Sequence, residues 1–257
     1  MTMLGVALSM TMLGVAHSMT MLGVALCMMS GKWIYSVDRI FDNQLNIMEE
    51  SYRKFFEQNR RRVEELTRND PDFFKRAYSG QNPDFFLIAC SDSRVSPSQI
   101  LGAKPGEIFV HRNVANLAVH TDLNFISALQ YAVEILTVRH VVVVGHYGCG
   151  GVRASLGSQY NGLIDNWLEN IRDVIRLHAD KLDAIDDPEQ KCKLLVELNV
   201  IEQAINVSRT SVIRKAWAKE KRPQIHGWVY DLEKGIIHDL EIRDKIFAAF
   251  KSIPQEP

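Results

Sequence analysis

FFLIACSDSR, residues 85–94, places a run of polar and reactive side chains directly after an apolar stretch, and VVVVGHYGC, residues 141–149, repeats that arrangement. Both apolar stretches have the length and composition of buried strands. Strands that alternate with helices indicate a mostly parallel sheet, whose functional site forms outside the carboxyl ends of the strands. The two segments therefore predict an α/β fold with one site at the end of its sheet.

The rest of the chain continues the alternation of strand and helix. Buried parallel strands are predicted at 85–89, 108–110 and 141–144, with later strands at 224–230 and 235–242 around a turn at 233–235. Helices are predicted at 122–136 and 196–217. Helical spacing of apolar residues over 37–48 and a charged segment at 60–65 predict an N-terminal helical arm. The expected fold is α/β, with a mostly parallel central sheet flanked by helices and this arm in front.

The side chains after the two strands match the preferences of one metal. Cys90, Cys149 and His146 offer two thiolates and an imidazole, and Asp92 adds a carboxylate. Sulfur mixed with imidazole selects Zn²⁺ over magnesium or calcium. Each segment alone is equally compatible with buried structural cysteines and a satisfied loop histidine. The two together favour a zinc site.

Three stretches resemble the β-class carbonic anhydrases, and in particular the bacterial members of that family. They are ACSDSRV at 89–95, PGEIFVHRNVAN at 105–116 and GHYGCGG at 145–151, in the same order and at similar spacing. Further similarity continues through residues 166–167, 197–200 and 226–230, so that the resemblance covers roughly Asp38 to Arg243. It implies a helical arm at 30–70 that reaches across a dimer and a zinc catalytic domain at 71–257. The apolar repeat at 1–29 is expected to lie outside the fold.

The resemblance implies reversible hydration of CO2 to bicarbonate and a proton. Zinc brings the pKa of a bound water to about 7, and the resulting hydroxide attacks CO2. The fourth zinc ligand is then either that water or, in a closed state, the carboxylate of Asp92. In the family, an arginine two residues later, here Arg94, pairs with the aspartate, keeps it off the metal and lets it orient the nucleophile. The alternative is that Asp92 caps a helix and Arg94 is a surface cation.

The resemblance also nominates a small, partly apolar substrate pocket. Gln81 matches a glutamine that donates to the substrate oxygen, and Phe109, Val114 and Tyr131 match positions in the pocket wall, some from a neighbouring subunit. Aromatic and Val side chains at such spacing are usually core, and a Gln two residues before Pro83 can simply belong to a loop.

One departure from the bacterial pattern concerns regulation. A Trp that helps to form a non-catalytic bicarbonate site is replaced by Leu87, and Ala89 stands where a Gly is usual, although Arg112 and Tyr230 match other members of that site. Inhibition by bicarbonate is therefore in doubt, and we expect a site that stays open near neutral pH.

Composition agrees with a single globular enzyme domain. The chain has 257 residues, 46% of them apolar, and a formal charge of -1, which gives no electrostatic footprint for nucleic acid. The four cysteines, at 27, 90, 149 and 192, are widely spaced, which indicates thiols in a reducing compartment such as the cytoplasm.

The first 28 residues contain three near-copies of the nonapeptide TMLGVALSM. Nine residues turn a helix by two and a half turns, so successive copies would present opposite faces. No Lys or Arg precedes Lys32, so the basic region of a secretory signal is missing. We expect a repeat upstream of a start near Met28 or Met29; membrane anchoring of residues 1–29 is the alternative.

Three functions follow from these residues. The first is a β-class carbonic anhydrase that works as a homodimer or a dimer of dimers on CO2 and bicarbonate. The second is a hydrolase of CS2 or COS on the same scaffold, since both are linear analogues of CO2. The third is a non-catalytic zinc-binding assembly protein, against which the presence of Arg94 argues.

Overall fold

The computed structural model describes residues 26–29, 32–35, 37–220 and 222–251, with side chains described over 49–219 and 222–249. The expectation that residues 1–29 lie outside the fold stays a prediction, because residues 1–25 fall outside the described part of the chain. Over the described ranges, no helix is both long enough and apolar enough to span a bilayer.

The chain divides into two compact units between Lys75 and Arg76. In the first, strands β1 (Leu26–Met29) and β2 (Lys32–Tyr35) pair antiparallel, and helix α1 (Val37–Asn69) follows. Both helical segments predicted for the arm fall within α1.

The second unit is built on a five-stranded sheet. Its strands are β3 (Phe85–Cys90), β4 (Ile108–Asn113), β5 (His140–His146), β6 (Gln224–Asp231) and β7 (Ile236–Asp239), in the spatial order β4-β3-β5-β6-β7. The first four strands in this order run parallel to one another, and β7 pairs antiparallel to β6. The predicted mostly parallel sheet is thereby confirmed.

Helices connect and flank these strands. In chain order they are α2 (Phe73–Tyr78), α3 (Pro97–Leu101), α4 (Leu123–Gln130), α5 (Gly150–Leu156), α6 (Ile164–Leu177), α7 (Ala179–Asp183), α8 (Pro188–Arg209), α9 (Ser211–Glu220) and α10 (Arg243–Lys251). The predicted helix at 122–136 is α4, capped by the Asp122 side chain and continued by a wide helical turn at Tyr131–Ile135.

Two predicted elements need correction. The single helix expected at 196–217 is two helices, α8 and α9, because Thr210 adopts an extended backbone between them (φ -63°, ψ 148°). The Thr210 hydroxyl donates to the Val207 carbonyl and accepts from the Ile213 amide, so it caps both helix ends at once. The last strand is shorter than expected and covers only Ile236–Asp239 of 235–242.

Helix α8 packs directly on the middle of the sheet. A Cβ on Gly145 or Gly227 would lie 2.5 Å or 2.9 Å from the methyl groups of Val200, so both strands need glycine where the helix meets them. Residues on this face of the sheet form the main core with the helices, whereas Leu87, Ala89, Val142 and Val144 form a small cluster on the other face. The close approach of α8 brings its buried polar residues to the carboxyl end of the strands.

Candidate metal centre

The parallel register of β3 and β5 places two candidate ligands at one edge of the sheet. Cys90 is the last residue of β3 and His146 the last of β5, and the preceding pair in this register is Ala89 with Val144. Cys149 stands three residues after His146, directly before α5. The turn between β5 and α5 thus brings the thiol of Cys149 next to the thiol of Cys90.

The three side chains converge as a metal site requires. The Cys90 and Cys149 sulfur atoms lie 3.9 Å apart, and the ligand atoms of Cys90, His146 and Cys149 all lie within 4.8 Å of one another. Two sulfurs at about 2.3 Å from a tetrahedral zinc would be about 3.8 Å apart, so this pair is already spaced for the ion. All three residues are buried.

The histidine is oriented for ligation. Its Nδ1 lies 3.0 Å from the Tyr147 carbonyl, which can only accept, so Nδ1 carries the proton. Its Nε2 is buried and has no hydrogen-bond partner among the described residues. A buried nitrogen with a free lone pair, aimed at two thiols, fits a metal ligand.

The two thiols lie close enough to bias each other's ionisation. A hydrogen bond from Cys149 lowers the pKa of Cys90, and His146 and the Ala115 amide add to the effect. The pKa of Cys149 is raised by its bond to Cys90 and by burial. One thiolate at Cys90 is therefore favoured at neutral pH, and a cation is needed to make the second one stable.

Asp92 and Arg94 form a two-pronged ion pair beside these ligands. Arg94 Nε donates to Asp92 Oδ1 at 3.0 Å and Nη2 donates to Oδ2 at 2.7 Å. The hydrogen bonds from Arg94 hold the pKa of Asp92 well below its usual range, so the carboxylate is ionised at neutral pH. Asp92 Oδ2 also lies 3.8 Å from His146 Nε2, at the border of the ligand set.

The structure does not use Asp92 as a helix cap. Its carboxylate accepts the Arg94 amide in a local turn, and the next helix, α3, begins only at Pro97. Arg94 Nη2 also donates to the Gly148 carbonyl at 3.2 Å. The guanidinium thus joins the loop after β3 to the loop after β5.

Arg112 supports the same loop from β4. Its guanidinium donates to the carbonyls of Cys90, Asp92 and Val95 at 2.9, 2.8 and 2.7 Å. These three bonds fix the backbone that carries Cys90 and Asp92, and the match of Arg112 to a family bicarbonate site stays a prediction.

The nominated pocket residues lie in different settings. The rings of Phe109 and Tyr131 are 5.7 Å apart, and Tyr131 is exposed. The Val114 carbonyl accepts a 2.8 Å bond from Trp167 Nε1. Gln81 is exposed in the loop before β3, with its Cα near Gly106. Phe109 and Tyr131 are in contact, and the roles of all four residues in a substrate pocket stay predictions.

Sequence reasoning missed the polar residues of α8 that support the site. Asn199 and Gln203 are 1% and 2% exposed and bond to the segment after β4. The sequence does contain a signal for these residues, because two amide side chains four residues apart interrupt an otherwise apolar helix face.

An α/β fold with a cysteine, histidine, cysteine cluster at the carboxyl edge of its sheet defines a class of metalloproteins, and comparison with known proteins identifies the family. The family model described as carbonic anhydrase matches residues 85–237. A carbonic anhydrase of Emericella nidulans is 46% identical over 76% of this chain and 86% of its own length. One from Candida albicans is 34% identical over 76% of this chain and 69% of its own length.

Solved structures agree. Tetrameric β-carbonic anhydrases from Sordaria macrospora match with a TM-score of 0.72 and 34% identity, over 75% of this chain and 98% of that one. A Coccomyxa β-carbonic anhydrase in complex with acetazolamide matches with a TM-score of 0.70 and 36% identity, over 73% and 85%. The chain belongs to the β-carbonic anhydrase family, and is an enzyme of that class.

Proposed function

We propose that this chain hydrates CO2 reversibly to bicarbonate and a proton, with Zn²⁺ held by Cys90, His146 and Cys149. The observation that carries the proposal is the buried ligand set with an ionised Asp92 at its border and both of its oxygens bonded to Arg94. Zinc, when bound, supplies a Lewis acid that makes water a nucleophile near neutral pH.

The protein's own groups position the reactants. Asp92, ionised and held by Arg94, accepts a hydrogen bond from the attacking water and so aims its lone pair at the substrate carbon. The same ion pair would hold Asp92 off a metal bound by the two cysteines and the histidine, which would leave the site open to water. The bond from Arg94 to Gly148 couples that restraint to the loop that carries Cys149.

We propose that CO2 lies against Phe109, Val114 and Tyr131, with Gln81 donating to one of its oxygens. The Phe109 and Tyr131 rings lie 5.7 Å apart, and an apolar wall built on this contact would suit a linear molecule without a dipole. Leu87 is 1% exposed within an apolar cluster, and Arg112 is already bonded to three carbonyls. Both observations support a site without bicarbonate inhibition.

We also propose that the chain works as a homodimer or a dimer of dimers in a reducing compartment such as the cytoplasm. The Sordaria macrospora relatives are described as tetrameric. Three aromatic side chains of α1, Tyr52, Phe55 and Phe56, are between 51% and 72% exposed, which suits an interface. Light scattering should give two or four times the chain mass of 29.3 kDa.

Stopped-flow CO2 hydration by zinc-quantified protein, followed from acid to alkaline pH, tests the activity. A fast rate that falls through one ionisation near pH 7 is expected for an open site. A rate that collapses below about pH 8 would instead show closure by Asp92. No hydration at any pH with zinc bound would overturn the proposal; turnover of COS or CS2 would then identify a hydrolase, and its absence a non-catalytic zinc protein.

A further inference from the structure

The segment that follows β4 has a strained backbone. Ala115 (φ 64°, ψ 26°) and Asn116 (φ 51°) both lie in the left-handed region without being glycine. Both are buried, at 0% and 2% exposure. Such conformations cost free energy and persist only where the surroundings hold them, and they concentrate at functional sites.

Helix α8 holds this segment through buried amide side chains. Asn199 Nδ2 donates to the Ala115 carbonyl at 3.0 Å, and Gln203 Nε2 donates to Asn199 Oδ1 at 3.1 Å, which fixes the orientation of the Asn199 amide. Gln203 Oε1 accepts the Ala118 amide at 2.8 Å. Asn199 and Gln203 therefore bind the segment at its two ends, Ala115 and Ala118.

The strained conformation has one direct consequence for the ligand set. It turns the Ala115 amide towards Cys90, where the nitrogen lies 3.4 Å from the sulfur. Cys90 is 4% exposed, so this protein amide, and not bulk solvent, lies against the sulfur. Hydrogen bonds to a ligating sulfur are among the ways in which a protein tunes its metal.

We propose that Asn199 is a positioning residue for the metal centre: by holding the Ala115 carbonyl it directs the Ala115 amide at Cys90, and thereby sets the donor strength of that thiolate. This inference rests on the proposed metal site. A purely structural Asn199 would satisfy a buried carbonyl and leave the electronic state of the sulfur unchanged.

The test uses the full-length protein loaded with Co²⁺, whose thiolate-to-metal charge-transfer band reports on the sulfur directly. Asn199→Leu removes the donor at similar volume. Ser208→Ala is the matched control, because Ser208 is a buried residue of the same helix whose hydroxyl donates only to the Ile205 carbonyl. We expect the band of Asn199→Leu to move to longer wavelength, since a thiolate without its hydrogen bond releases an electron more easily. Zinc affinity, measured by chelator competition, should fall about 10- to 100-fold, with Ser208→Ala unchanged.

A band and an affinity that match those of Ser208→Ala would overturn the inference. Should Asn199→Leu not fold, Asn199→Asp keeps the side-chain shape while removing its N–H groups, and the same shift is expected. In the unmutated protein loaded with cadmium-113, a scalar coupling between the metal and the Ala115 amide proton is expected, and its absence would overturn the N–H···S bond. Failure of the unmutated protein to show any thiolate-to-cobalt band would instead count against the proposed metal site.

Discussion

At the scale of single residues, the geometry of Arg94 matters as much as its charge. Its guanidinium binds both oxygens of Asp92, so the carboxylate is held in one orientation as well as kept ionised. A lysine ammonium would keep the positive charge but could not make the two parallel hydrogen bonds of the planar guanidinium.

Replacement of Arg94 should therefore lower turnover, by more when both the charge and the paired hydrogen bonds are lost than when only the paired bonds are lost. We expect Arg94→Ala to reduce kcat for CO2 hydration on the order of 100-fold, the loss associated with a displacement of about 1 Å in an active site. Arg94→Lys should retain an intermediate rate. Stopped-flow kinetics at constant zinc content provides the measurement.

Arg139→Ala is the matched control, because Arg139 makes the same two-pronged contact with Asp84 at an exposed position. Equal kcat for Arg94→Ala and Arg139→Ala would contradict a role of the Asp92 and Arg94 pair in the reaction.

The residues that carry the proposed chemistry could be predicted because each stands directly after a strand in a short pattern. Cys90, Asp92 and Arg94 come from one such pattern, and His146 and Cys149 from the other. Asn199 could not be assigned in the same way, because its contact with Ala115 joins positions 84 residues apart. Only the packing of α8 on the sheet creates that contact.

At the scale of elements, the first turn of α5 packs closely against the strained segment after β4. A Cβ on Gly151 would lie 2.8 Å from a Val114 methyl group and 3.4 Å from the Ala115 Cβ. The neighbouring Gly150 has open space at the same position. The helix that follows Cys149 can therefore approach the segment only through Gly151.

We expect Gly151→Ala to destabilise the protein by about 1–3 kcal/mol through overpacking. Gly150→Ala should be neutral or stabilising by up to about 1 kcal/mol, since alanine favours the helix. Urea denaturation of both variants measures the free energy of unfolding. The same loss of stability in both would show that helix propensity, and not contact with Val114, governs this site.

Strand positions were predictable from the apolar runs, but helix ends were less so. The break between α8 and α9 depends on the Thr210 hydroxyl bonding the backbone on both sides. A threonine within an apolar helical pattern does not by itself show which of these bonds it makes.

At the scale of the whole molecule, a pair of histidines lies towards the amino ends of strands β5 and β6, whereas the candidate metal ligands lie at the carboxyl ends of β3 and β5. His140 Nδ1 and His226 Nε2 are 3.0 Å apart, and the His140 ring stacks on Phe85. Burial lowers the pKa of both histidines. The folded protein therefore prefers both rings neutral.

Stability should consequently depend on pH in a defined direction. This contribution is fully present above the unfolded pKa of about 6.5 and is lost as the pH falls below it, because the unfolded chain then binds more protons. Each site adds a slope of at most about 1.4 kcal/mol per pH unit. We expect His226→Gln to flatten the curve of unfolding free energy against pH between 7.5 and 5.5, roughly the window around that unfolded pKa.

His238→Gln, at an exposed position on β7, controls for the loss of a histidine. Both variants keep the metal ligands, so the difference between their curves isolates the pair. Parallel curves for the two variants would contradict the assignment.

The central claim is that Zn²⁺ held by Cys90, His146 and Cys149 supports CO2 hydration, and a zinc titration of metal-free protein tests it most directly. We predict that the hydration rate rises linearly with added zinc and reaches a plateau at one equivalent per chain. Cys149→Ser should stay inactive, whereas Cys192→Ser, at a buried cysteine outside the ligand set, should recover. A rate that persists after the metal is removed, or that zinc fails to restore, would contradict the account.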